Sequence, residues 1–150
     1  MPSHPIMRKP LILAAVCVVG FAGLLCRAHA AAAFTLVVHK DNPQKEVTSA
    51  ELKSLLSGST KQWSGGAVVH LGLIMADSPE TQYLASLVGS SATDLLGRIQ
   101  QQVFKGEMRR PAALKSSADC IAFAKGAAGA LCVASAAAPL PPDVHALGVK

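Results

Sequence analysis

Val47–Gly66 reads VTSAELKSLLSGSTKQWSGG and holds a helix start, an amphipathic helix, a stop and the chain's single tryptophan. Thr48-Ser49-Ala50-Glu51 has capping-box spacing: the threonine hydroxyl takes the N3 amide while the glutamate reaches back to the cap. Leu52, Leu55 and Leu56 follow at i, i+3 and i+4, one leucine stripe for a core. Gly58 stands where a helix ends on a left-handed residue. Trp63 and Gly65-Gly66 then close a compact loop.

Strand signals lie on both sides. Phe34–His39, FTLVVH, is β-branched and apolar and reads as a buried strand; Lys40-Asp41-Asn42-Pro43 is a turn. Downstream, Ala67–Ile74, AVVHLGLI, reads as a second strand. Ser78-Pro79 is an N-cap with proline at N1, and Tyr83, Leu84, Leu87 and Val88 form the apolar face of the helix it starts. Gly89-Ser90 breaks that helix. Ser91 starts a third, with Leu95, Leu96, Ile99, Val103 and Phe104 as its expected buried side. Lys105–Pro111, KGEMRRP, is a charged loop, and Ser116 starts a fourth helix running to about Lys125. Ala130–Ala134 and Val144–Val149 are the last strands, joined through Pro139, Pro141 and Pro142.

The predicted order is β-α-β-α-α-α-β-β. Strands alternating with helices define an α/β domain of the three-layer type, a mixed sheet of about four strands with about four helices. Apolar runs such as LVV and LCV predict strands covered on both faces.

The N-terminus has a different character. Arg8 and Lys9 precede an apolar run of 16 residues, Leu11–Cys26, and Arg27 precedes Ala28-His29-Ala30. A basic start, an apolar run and an A-x-A end are the parts of a secretory signal peptide, with cleavage near Ala30. The run is short for a membrane span of about 20 residues; an uncleaved anchor is the other reading. Leu24-Leu25 before Cys26 does not suit lipid attachment, which wants a small residue there. Residues 31–150 would form one domain, with 11 Lys and Arg against nine acids, a net charge of 11 − 9 = +2 rather than the +5 of the whole chain. No basic stripe interleaves with aromatics, which gives nucleic-acid binding no support.

Cys17 and Cys26 fall in the leader; Cys120 and Cys132 remain. An even pair in an exported chain favours a disulfide over two buried thiols.

Four features bear on chemistry. Ala76–Thr81, ADSPET, sits where a strand gives way to a helix. Free amides at a helix N-terminus, with the hydroxyls of Ser78 and Thr81, suit an anion, and ligands favour the carboxyl ends of strands in such sheets; Ser78 capping its own helix is the simpler explanation. His39, His70 and His145 fall at strands, but no local H-x-H spacing supports a metal. The three cations of the Lys105–Arg110 loop suit an acidic partner or lipid head groups; a solvated surface is the simpler explanation. No G-x-S-x-G elbow, H-E-x-x-H or phosphate-cradling glycine loop is present, which argues against an enzyme.

Val47–Gly66 resembles a segment of the phosphate-binding proteins of bacterial phosphate ABC transporters, a helix followed by a G-K/S-x-x-x-W-x-x-G loop. Its surroundings are similar to theirs in order. Val68–Thr81 lies where those proteins place an R-x-D-x-S-G-T stretch. Phe104-Lys105-Gly106 resembles their F-x-G, and Gly126–Val133, GAAGALCV, their G-A-I-G-Y. The match covers residues 34–150 and is nearest to short single-domain members. It implies a fold resembling one lobe of a type II periplasmic binding protein, a non-catalytic role without a cofactor, and a small oxyanion such as phosphate as ligand. On that motif Asp77 matches the acid and Thr81 the threonine, while Ser78 supplies a hydroxyl one position early. Met75 or Ala76 stands where a basic residue is expected, and Pro79-Glu80 replaces Ser-Gly. The expectation is an exported, periplasmic binding protein with weak oxyanion binding. The alternative is an envelope or transporter-docking module that kept the scaffold and lost the ligand.

Overall fold

The computed structural model describes residues 33–150. The expected signal segment at residues 1–30, its cleavage point, Cys17 and Cys26 lie outside them.

The elements run β1 (Phe34–His39), β2 (Glu46–Val47), α1 (Ser49–Leu56), β3 (His70–Leu73), α2 (Pro79–Leu87), α3 (Ala92–Phe104), β4 (Ala112–Ala113), α4 (Ser117–Gly126), β5 (Ala130–Ser135) and β6 (Val144–Val149). They build a six-stranded mixed sheet in the order β2-β6-β1-β5-β3-β4. β1 lies antiparallel between β5 and β6, while β3 runs parallel to both β5 and β4, and β2 parallel to β6. The sheet thus has two strands more than the sequence predicts. Both extra strands, β2 and β4, are two residues long and sit on the edges, too short to show a period of their own. The second predicted strand also starts later. Val68 is in a bridge to Gln62, closing a hairpin around Trp63, and the ladder proper begins at His70.

Alternation along the central strands sorts the core into two layers. Leu36 and Val38 of β1, with Leu131 and Val133 of β5, face a large cluster built on Leu52, Leu55 and Leu56 of α1 and on α2 and α3. Val37, Ala130, Cys132 and Ala134 face the opposite way, onto Cys120 and Ala124 of α4. All of these side chains are buried, so both faces of β1 and β5 are covered. Alanines on the α4 side let that helix approach closely. α3 departs from the predicted face at its end: Ile99 is buried and Val103 half-buried, but Phe104 is 94% exposed. One residue past Val103 turns the side chain a further 100° or so round the helix, off the apolar stripe.

Each helix starts on a hydroxyl cap. The side chains of Thr48, Ser78, Ser91 and Ser116 accept from the amide three residues on. At α1 the box is reciprocal: the Thr48 amide donates to Glu51 Oε2 at 2.8 Å, and the Glu51 amide donates to Thr48 Oγ1 at 3.1 Å. These bonds, the backbone one foremost, hold the Glu51 carboxyl below its ordinary value. A lowered carboxylate stabilises the fold above its unfolded pKa, and that contribution disappears as pH falls through the folded value. Glu51→Gln should therefore be less stable than the natural chain at pH 7, with the gap narrowing as pH falls below the ordinary 4.5, as paired thermal melts would show. Thr48→Ala should cost about 1 kcal/mol at neutral pH.

Candidate functional site

β3 ends at Leu73, and the chain turns through Ile74–Asp77 into α2. Ser78 is extended and its Oγ accepts from the Thr81 amide at 3.2 Å. The two hydroxyls lie 3.0 Å apart, and Thr81 Oγ1 donates to the Ile74 carbonyl at 2.9 Å. Thr81 is 2% exposed. Its hydroxyl therefore ties the start of α2 back onto the end of β3. With that proton committed, Thr81 Oγ1 can only accept, so the Ser78 hydroxyl donates to it and has to give up that bond to serve a ligand. Asp77 is exposed and its Oδ1 accepts from Gln82 Nε2 at 2.8 Å. The structure thus brings Ser78 and Thr81 together and turns Asp77 along the outside of α2.

Two carboxylates, Asp77 and Glu80, flank this turn. The recess beside Thr81, lined also by Gly72, Ile74, Glu80 and Leu114, has a volume of about 10 Å³. That is no more than a water molecule needs. An anion here would rest on the surface, against the Ser78 hydroxyl and the Glu80 amide, which at N2 has no partner in its own helix. Pro79 has no N–H to add.

The histidines are engaged separately. Arg109 Nη1 lies 3.4 Å from His70 Nε2, His39 Nδ1 accepts from the Asp41 amide, and His145 Nε2 lies 3.0 Å from the Gln44 carbonyl. Cys120 and Cys132 are joined as a disulfide, with their Cα atoms 5.7 Å apart. Trp63 is buried and donates Nε1–H to the Gly129 carbonyl at 3.0 Å, tying the hairpin after α1 to the turn before β5. Nothing in the spacing of Trp63 and Gly129 announces that bond, which spans 66 residues.

No protein-family model and no curated protein matches the chain. Two solved structures are similar to it. One is a Clostridium perfringens protein described as a phosphate ABC transporter substrate-binding protein, solved with bound phosphate (TM-score 0.56, 20% identity). The other is an ABC-type phosphate transport receptor of Vibrio cholerae (TM-score 0.58, 16% identity). Each alignment takes in 78% of this chain but only 44% and 46% of the solved ones, so the chain spans under half their length. The fold is therefore phosphate-binding-protein-like. Among the described residues no helix is long and apolar enough to cross a membrane.

Proposed function

We propose that this chain is an exported, periplasmic, non-catalytic binding protein that takes a small oxyanion such as phosphate weakly at the start of α2, with Ser78 as donor and Asp77 and Thr81 shaping the turn. The observation that carries the reading is the likeness of fold to a protein solved with bound phosphate, together with a hydroxyl-capped helix following the carboxyl end of β3. Its weakness follows from the residues. The Glu80 amide is the one donor free in the turn, the Ser78 hydroxyl has to leave Thr81 to join it, no arginine fork is present there, and two carboxylates oppose the anion.

Isothermal titration of the purified protein with phosphate and with sulfate should give a Kd of about 1 mM or weaker. Glu80→Gln should tighten it about threefold, the effect of one unit charge at several ångströms in water. A gain of affinity cannot arise from damage to the helix cap. No heat and no thermal shift at ~10 mM of either anion would remove the oxyanion reading.

Phe104, standing 94% exposed, favours a second reading as an envelope interaction module. Capture of one envelope protein by the natural chain, lost with Phe104→Ser, together with silence in both titrations, is the result that selects it.

A further inference from the structure

We propose that the cleft between the end of α1, the Lys61–Val69 hairpin and the loop joining α3 to β4 binds a small organic monoanion, a carboxylate on an apolar body. This goes beyond the oxyanion reading and uses a different part of the molecule. His70 opens β3 beside the cleft and Ile74 follows its other end, so the two sites are separated by about 13 Å of strand.

The cleft has a volume of about 250 Å³. That falls just below the range of drug-sized sites. At roughly 30 Å³ per atom it admits about eight heavy atoms. Leu55 and Leu71 of the core form its floor, and Val68, Val69 and Met108 its sides. Val68 is 48% exposed, an apolar side chain left open to water within a recess. An apolar body laid there would remove that surface from water.

The walls are set before any ligand arrives. The Val69 amide donates to the Lys61 carbonyl and the Trp63 amide to the Ala67 carbonyl, each at 2.9 Å. Opposite them, the Glu107 and Met108 amides both donate to the Gln102 carbonyl, at 2.9 and 3.2 Å. Gly58, at φ +73°, lets the end of α1 meet that loop; a Cβ on it would lie 3.2 Å from Met108 Cβ and 3.3 Å from the Glu107 carbonyl oxygen. A site already shaped loses little ordering entropy on binding.

The rim chooses the charge. Lys61 and Arg109 stand against one acid, Glu107, and among the described residues none of the three is in an ion pair. Arg109 can only donate, so its contact with His70 Nε2 orients the guanidinium and leaves its other N–H groups for a ligand. A planar fork suits a carboxylate. Inorganic phosphate has no apolar body to fill the floor.

The test is an NMR titration of the ¹⁵N-labelled full chain with hexanoate, which has the right size and charge. Hexanol, hexylammonium and inorganic phosphate are run beside it. Hexanoate should move the amides of Gly58, Lys61, Met108 and Arg109 to saturation, and hexylammonium should not. Arg109→Gln should weaken hexanoate about tenfold, the loss of a charge-assisted hydrogen bond, and the exposed Val68→Glu should abolish binding without touching the core. Three results would overturn the proposal: hexanoate moving none of those amides, hexanol or phosphate moving them as strongly, or Arg109→Gln leaving the affinity unchanged. Phosphate shifts confined to Ser78–Thr81 would bear on the other site alone.

Discussion

Gly129→Ala is expected to lower the melting temperature by about 12 °C or more. A Cβ on Gly129 would lie 1.6 Å from the Val68 carbonyl oxygen and 2.7 Å from its carbon. The obstacle is backbone, not the far end of a flexible side chain, so a rotamer change cannot relieve it. Nor can either chain withdraw cheaply. The Gly129 carbonyl accepts from Trp63 Nε1 at 3.0 Å and from the His70 amide at 2.9 Å, and Val69 is bonded back to Lys61. Separating the two segments breaks the bond that seats the tryptophan and the first rung between β3 and the turn before β5. Overpacking of this kind costs about 3 kcal/mol or more. At roughly 4 °C per kcal/mol for a domain of this size, the shift follows. Calorimetry with Trp63 fluorescence as a second probe would check it. A variant melting within about 4 °C of the natural chain would mean that the Val68 peptide moves aside freely.

Loss of the Cys120–Cys132 link is expected to cost about 3 kcal/mol, again some 12 °C. The bridge joins α4 to β5 across a separation of 12 residues, and both cysteines are 1% exposed. Opening it frees the unfolded chain more than it harms native contacts, since the sulfurs remain packed against Val37 and the alanines of that face. The melt of the chain unfolded and reduced before refolding should match that of Cys120→Ala/Cys132→Ala to within the small effect of the missing sulfurs. Equal melting of the oxidised and reduced natural chains would sink the prediction. In a reducing compartment the domain would have to stand on the remaining stability alone, which for most domains is about 5–15 kcal/mol in total.

Much of this was legible in the residues because it is local. The caps at Thr48, Ser78, Ser91 and Ser116 depend on neighbours three positions away, and the covering of both faces of β1 and β5 follows from unbroken apolar runs. The extra strands β2 and β4 were illegible because each is a pair of residues borrowed by an edge, Glu46–Val47 by β6 and Ala112–Ala113 by β3. Phe104 was misread because apolar spacing persists one residue beyond the end of the buried face. For the candidate anion turn, the composition of Asp77–Thr81 was readable, but the bond from Thr81 Oγ1 to the Ile74 carbonyl was not, since it depends on how the strand end meets the helix. The cleft beneath Val68 draws on segments from Leu55 to Arg109. No window of sequence contains it, although Val47–Gly66 supplies Leu55, Gly58, Thr60 and Lys61 of its lining.

The place of β1 in the sheet has a bearing on time. It is the first strand of the described chain, yet both its partners, β5 and β6, come last. From His39 to Val149 is 110 residues, and at synthesis rates of about 5–20 residues per second the ribosome needs roughly 5–20 s to deliver them. Until β5 emerges at Ala130 β1 has no ladder to join, and until β6 follows the sheet cannot close. A polypeptide that stays open until its final turn is one that a narrow translocation channel can still accept, so the strand order itself suits the proposed route out of the cell.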